Sequence, residues 1–266
     1  MKEWIEFHRM IGVQHFVLVN DRSTDDFMAV LRPYIDAGEV ELLTLPCPSE
    51  FHGRAWTTFQ CAVLDAICKQ QRGVSRWLAL IDLDEFIVPM ETEHLLEALD
   101  EHEALGGLYV RWEPFGTSHV ARLSSDDLLT ERLYLRWQFI PGRDVLGKSI
   151  VKPHRVRRTG IHRCELLSGY DYVDLNPGME SASPRIKIHH YWTRDEHFLV
   201  NEKLPRTAQF KEWKLDDEKI AFFKELFNDV PDHGMKRFIP ALKERVFSTT
   251  LSPALRARVR NGRGSR

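Results

Sequence analysis

The stretch that decides the fold is ALIDLDEFIVP, Ala79–Pro89. With Trp77 and Leu78 ahead of it, WLALI (77–81) is a nearly continuous apolar run, the pattern of a strand buried on both faces. It ends in three acids, Asp82, Asp84 and Glu85, before FIVP resumes the apolar run. A chain seldom sets three carboxylates where its core meets its rim unless a partner holds them. If the strand persists through the motif, Asp82 and Asp84 share a face about 7 Å apart, at ~3.3 Å per residue. That is too far to share a proton and suits carboxylates flanking a hard divalent cation, whose remaining positions go to phosphates and water. An isolated DxD is more often a solvated turn, but the apolar flanks leave little surface for one here.

Outward from this motif, strands and helices alternate. Trp4, Ile5, His8 and Ile11 form one helical stripe that Gly12 ends. HFVLV (15–19) is a strand, and Ser23 or Thr24 is expected to cap a helix carrying Phe27, Val30, Leu31 and Ile35, which Gly38 ends. EVELLTL (39–45) is a strand, and a long helix over 54–72 follows a proline-rich loop. This order predicts an α/β fold with a mostly parallel central sheet flanked by helices. Ligands of such sheets bind beyond the strands' C-terminal ends, where both NDRSTDD (20–26) and DLDEF (82–86) fall. Beyond Pro89 a helix is expected at 92–104, with strands near 107–112, 133–139, 147–152 and 186–192. Thr193 reads as an N-cap with Glu196 at the capping-box position, and 216–227 as an amphipathic helix. The tail, RARVRNGRGSR (256–266), is basic.

The totals exclude some classes. The chain has 266 residues, 43% hydrophobic and 29% charged, with a net charge of −2. That is a soluble globular mix with no footprint for nucleic acid. Its four cysteines form no CxxC pair and read as reduced thiols. No apolar run approaches the ~20 residues of a membrane span, and no cleavable leader is visible. A cytoplasmic location is expected.

Further candidates follow from pattern. In IKIHHYW (186–192), His190 shares parity with Ile186, Ile188 and Trp192. A lone inward histidine is usually a core residue, yet a neutral imidazole would suit a Mn2+ shell. Lys148 opens a short apolar strand after Gly147 and could neutralise a leaving diphosphate. Arg132, Lys203 and Arg206 are by default solvated charges. NDRSTDD is locally an Asx-turn and helix cap, and functionally places Asp21 to accept hydrogen bonds from a base or ribose. Trp112, Phe115, Trp137, Tyr170 and Tyr172 could stack on sugar rings or serve the core.

Taken in order, EWIEFHRMIGVQHFVLVNDRSTDD (3–26), Gly38, WLALIDLDEFIVP (77–89), PFGTSH (114–119), GKSIVKP (147–153) and HHYWTRDEHFLVNEK (189–203) resemble the GT-A class of nucleotide-sugar glycosyltransferases. Within it they resemble glycosyltransferase family 92 and its bacterial relatives of the family 2 type. The resemblance covers residues 1–210 as one catalytic domain, with 211–266 as a helical extension. It implies a nucleotide-sugar donor, a UDP-linked sugar, a glycan or other hydroxyl acceptor, and Mn2+ or Mg2+ on Asp82, Asp84 and His190. Asn20 and Asp21 become donor-nucleotide contacts, and Glu85 and Lys148 active-site residues. An inverting reaction needs a carboxylate base within reach of the acceptor hydroxyl; Glu113 and Asp171 are both candidates. Two departures stand out. The class carries a strand before the first helix, whereas Met1 opens directly into that helix, so an upstream extension is expected to raise stability or activity. After Lys203 the pattern calls for Arg-Gly, and this chain has Leu204-Pro205-Arg206. A haloacid-dehalogenase-type phosphohydrolase would need Thr where Phe86 stands, on a first strand rather than a later one. A non-catalytic nucleotide- or glycan-binding module is the other rival.

Overall fold

A computed structural model describes residues 1–45, 54–140, 146–175 and 186–248. The chain packs as two compact units, Met1–Phe51 with Arg237–Arg266, and His52–Lys236.

The first unit opens with helix α1 (Lys2–Met10), followed by β1 (Phe16–Asn20), α2 (Phe27–Asp36) and β2 (Val40–Thr44). The stripe of α1 is as expected: Trp4, Ile5, Phe7, His8 and Ile11 are buried. β1 and β2 pair in parallel, Phe16 against Val40 through Asn20 against Thr44, so the strand–helix–strand expectation holds here. The N-cap of α2 is Asp26, without a side-chain cap bond, rather than Ser23 or Thr24. Ser23 instead gives its N–H to Asn20 Oδ1 at 2.9 Å, the Asx-turn that the sequence suggested. A C-terminal helix, Ile239–Phe247, packs on α1. Phe238 meets Phe7 edge-on with centroids 5.4 Å apart.

The second unit starts with α3 (Arg54–Gln70), then β3 (Leu78–Ala79), β4 (Glu85–Pro89), α4 (Leu95–Asp100) and β5 (Gly107–Pro114). It continues through β6 (Leu135–Arg136), β7 (Gly147–Val151), β8 (Val156–Arg158), β9 (Glu165–Leu166), β10 (Tyr172–Leu175), β11 (Ile186–His190) and β12 (Val230–Pro231). The central sheet has the order β3-β7-β5-β11-β4, with β10 also on β5. This sheet is mixed, not mostly parallel. β3 and β5 run antiparallel to β7, as does β4 to β11, while β10 and β11 are parallel to β5. From β7 to β11 no α-helix separates the described strands, so the helical crossovers that go with parallel pairing are absent there.

The stretch Ala79–Pro89 departs from a single strand. Leu78–Ala79 lies at one end of the sheet order and Glu85–Pro89 at the other. Leu80 N–H donates to Ser149 O at 3.1 Å, prolonging the β3–β7 ladder, and Tyr191 N–H donates to Asp84 O at 2.8 Å, prolonging β11–β4. The chain between them crosses the end of β5 as a turn, closed by Glu85 N–H to Asp82 O at 3.1 Å. Asp82 and Asp84 are thus held by two different strands instead of alternating along one. The apolar half, Phe86, Ile87 and Val88, is buried with Ile188, each such side chain worth about 1.5–3 kcal/mol of transfer free energy. Among the described residues no helix is long and apolar enough to cross a membrane.

Candidate active site

Register builds the site. In the β4–β11 ladder Glu85 stands directly opposite His190, and in the β5–β7 ladder Val110 stands opposite Lys148. Trp112 shares the parity of Val110 and pairs with Ile188, two residues before His190. Cross-strand neighbours face the same way. One face of the sheet therefore carries Glu85, His190, Trp112 and Lys148, under the turn that carries the two aspartates.

Each aspartate meets its own lysine. Lys148 Nζ is 2.8 Å from Asp82 Oδ2 and 3.8 Å from Glu85 Oε1. Lys203 Nζ is 3.1 Å from Asp84 Oδ2, and His190 Nε2 is 3.7 Å from Asp84 Oδ1. Lys148 is 2% exposed at its side chain and Glu85 0%, whereas Asp82 is 50% exposed. Glu85 Oε2 accepts the Asp82 N–H at 3.0 Å, so this carboxyl works as an internal brace of the turn. Trp112 forms the floor: its ring centroid lies 4.3 Å from that of His190, 5.2 Å from that of His162 and 5.9 Å from Lys148 Nζ.

Burial sets the protonation states. It pushes His190 down to about 4, a change that Asp84 opposes, so the imidazole is neutral at pH 7. It raises Glu85 well above the usual carboxylate range, more than Lys148 lowers it. Burial also disfavours ionised Asp84, but His190 and Lys203 beside it outweigh that cost and hold it low. With His190 neutral, the contact with Lys203 is the attraction that persists at pH 7. His162 is lowered by burial and then by Lys148.

Asp84, Glu85 and His190 each offer one ligand atom, all within 4.8 Å of one another. Carboxylate oxygens with a neutral imidazole are a donor set that fits Mn2+ better than Mg2+. Asp82, named beside Asp84 from the sequence, points to Lys148 instead.

The remaining candidates lie elsewhere. Glu113 has opposite parity to Trp112 and faces the other side of the sheet, 2.9 Å from Lys187 Nζ, near His189 and Arg136. Asp171 is exposed, and its carbonyl accepts from Gly106 N–H. That is the opposite end of β5 from His190, which pairs with Pro114, about 26 Å along the strand at ~3.3 Å per residue. Arg132 is exposed at the surface, 3.6 Å from Asp127. Asn20 and Asp21 belong to the first unit, where Asp21 is paired with Arg22 at 3.3 Å.

The segment after β11 corrects the capping expectation. Asp195, not Thr193, is the N-cap, accepting from Phe198 N–H at 2.8 Å. Thr193 Oγ1 donates to Phe115 O. The helix widens to a π-turn over Leu199–Lys203 just before Pro205. Proline has no N–H for a regular bond, and side chains take up local carbonyls: Asn201 Nδ2 donates to His197 O, Arg206 Nε to Glu202 O and Thr207 Oγ1 to Lys203 O. Arg206 is thereby a helix-local residue, while Lys203 reaches Asp84. Sequence reasoning gave no role to His162 and left Trp112 between core and ligand. The β5–β7–β11 register places Trp112, and His162, outside those strands, is placed by its contacts with Gly147 O at 3.3 Å and with the Trp112 ring; no local pattern encodes either.

A glycosyltransferase is the class in which this chain falls. The glycosyltransferase family 92 model matches residues 1–227, and the chain belongs to that family. It is 27% identical over 198 residues to a glycosyltransferase family 92 protein of Ricinus communis, covering 72% of this chain and 32% of that protein. It is 26% identical over 204 residues to a galactan beta-1,4-galactosyltransferase of Arabidopsis thaliana, covering 72% and 36%. A family 92 protein of Oryza sativa subsp. japonica is 26% identical over 262 residues, covering 90% and 41%. The chain thus spans about a third of the length of the first two relatives and 41% of the third.

Proposed function

We propose that this chain transfers a sugar from a nucleoside diphosphate donor, UDP-linked, to a hydroxyl of a glycan. The observation that carries the reading is the pairing of Asp82 with Lys148 and of Asp84 with Lys203 around His190. Anionic and cationic groups alternate there within hydrogen-bond reach, so a diphosphate can take the lysines as a cation takes the acids. Asp84 and His190, with Glu85 behind them, would hold Mn2+, which when bound supplies Lewis-acid stabilisation of the leaving diphosphate. Lys148 and Lys203 place ammonium groups for phosphate oxygens, charge-assisted bonds of the stronger kind. Glu85 holds the turn through the Asp82 N–H and is a positioning residue. Neither Glu113 nor Asp171 sits with this cluster, so neither is retained as the base. The galactan galactosyltransferase among the relatives favours galactose as the donor sugar and a β-1,4-galactan as the acceptor.

The test is a transfer assay with UDP-galactose, UDP-glucose and UDP-N-acetylglucosamine against β-1,4-galacto-oligosaccharides, with Mn2+ or with EDTA. Metal-dependent growth of the oligosaccharide by one sugar is the expected result. Nucleotide binding with neither transfer nor donor hydrolysis would assign the chain to the binding-module reading.

A further inference from the structure

His162 is pinned to β7 on either side of Lys148. Its ring Nδ1 lies 3.3 Å from Gly147 O, and its own carbonyl accepts from Ser149 Oγ at 3.0 Å. Ser149 is buried, and its Oγ also accepts from Cys164 N–H at 3.1 Å, which ties the loop down beyond the histidine. Ahead of it, a methyl at Gly160 would stand 2.4 Å from Arg163 O, so the loop closes tightly around His162. The imidazole then meets the Trp112 ring edge-on, at 5.2 Å and 79°. These contacts fix the place and plane of the ring, although His162 is only half-buried.

The bond to Gly147 also sets the tautomer. A carbonyl oxygen only accepts, so Nδ1 carries the proton and Nε2 presents a lone pair. Burial, and then the Lys148 charge, hold the imidazole below its ordinary value, so this neutral form persists at pH 7. Among the described residues Nε2 has no hydrogen-bond partner. Its chemistry selects what it can meet. A lone pair turns away the oxygens of a phosphate, and the Lys148 ammonium beside it disfavours a cation. An O–H donor is what remains. Lys148 is placed for the leaving diphosphate, and the hydroxyl-bearing group joined to the outer phosphate of that diphosphate is the sugar to be moved.

We propose that His162 is a specificity-determining residue for the donor: its Nε2 accepts the O–H of one hydroxyl on the sugar to be transferred, beside the lysine that holds the diphosphate. This rests on the transferase reading. The experiment measures, by calorimetry on the full chain with Mn2+, the binding of UDP, UDP-galactose and the 2-, 3-, 4- and 6-deoxy forms of UDP-galactose. The variants are His162→Phe, which keeps a flat ring against Trp112 and loses both nitrogens, and His162→Gln, which keeps a neutral acceptor of similar reach. The expected result is equal UDP affinity in all three proteins. UDP-galactose should be weakened about tenfold by His162→Phe and largely restored by His162→Gln. A site built around a hydroxyl rejects the analogue that lacks it. One deoxy donor should therefore bind wild type about tenfold more weakly than UDP-galactose does, and bind His162→Phe no more weakly. If His162→Phe weakens UDP and UDP-galactose alike, or if every deoxy donor loses the same factor in wild type and variant, the proposal is overturned and the donor reading stands. Deoxy donors that all bind wild type as well as UDP-galactose overturn it without recourse to any variant. No UDP binding by wild type removes the donor reading and the proposal with it.

Discussion

Lys148→Met separates a structural from a chemical role for the buried ammonium. Removing one partner of a fully buried ion pair costs about 3–5 kcal/mol, because the other charge is stranded. Here neither partner is stranded. Asp82 is 50% exposed, so water takes it over, and such half-solvated pairs contribute about 0–1 kcal/mol. Glu85 is wholly buried, but burial already favours its neutral form. Methionine keeps the length of the buried stem. The expected loss of stability is therefore about 1 kcal/mol, or about 2–4 °C in Tm for a chain of this size. Removing a preorganised charge from where a leaving group develops its own typically costs about 100-fold or more in rate. Urea unfolding and donor turnover on one preparation decide the matter. A stability loss of 3–5 kcal/mol, with activity that follows the unfolded fraction, would refute this reasoning; so would full turnover in a stable variant.

Two further outcomes concern other parts of the chain. A methyl at Gly147 would stand 2.2 Å from Val110 O and 2.7 Å from Arg111 Cα, both backbone, so Gly147→Ala forces β5 and β7 apart beside Lys148. Overpacking of this kind costs about 1–3 kcal/mol, and turnover is expected to fall further than Tm alone explains; a variant with wild-type Tm and rate would contradict the register. His8 is buried, donates from Nδ1 to Trp4 O at 2.8 Å and is held at about 4, chiefly by burial. The unfolded chain takes up this proton near pH 6.5, so stability falls as pH drops from about 6.5 towards 4, by about 3 kcal/mol at the limit. His8→Phe should flatten that slope in pH-dependent unfolding, and an unchanged slope would remove His8 as its source.

Much of this site is legible in local pattern. DLDE, Lys148 after Gly147 and His190 in IKIHH are each marked by polar residues inside apolar runs, and all three come together in the structure. The alternation of IKIHH is also real: His190 packs on Trp112, whereas His189 faces Phe115. What local pattern does not carry is pairing. WLALI and FIVP look like one strand, because nothing in eleven residues says that the turn between them crosses the end of a third strand. The mixed sheet is hidden for the same reason, since β5, β7 and β11 are far apart in sequence. Glu113 misleads because its neighbour Trp112 lies on the site face, one residue of parity away. Lys203 is masked by Pro205, which breaks the family pattern yet coincides with the π-turn that carries the lysine to Asp84.

Asp84 is proposed to anchor a metal-dependent nucleotide site. This is tested most directly by thermal unfolding of wild type and Asp84→Asn with UDP, each with and without Mn2+. A ligand bound only to the folded state stabilises it by about 2.7 kcal/mol at a hundred times its dissociation constant. A UDP shift in wild type that requires Mn2+ and is lost in Asp84→Asn is the expected result. An equal shift without Mn2+, a shift that persists in the variant, or no shift with UDP at all would contradict it.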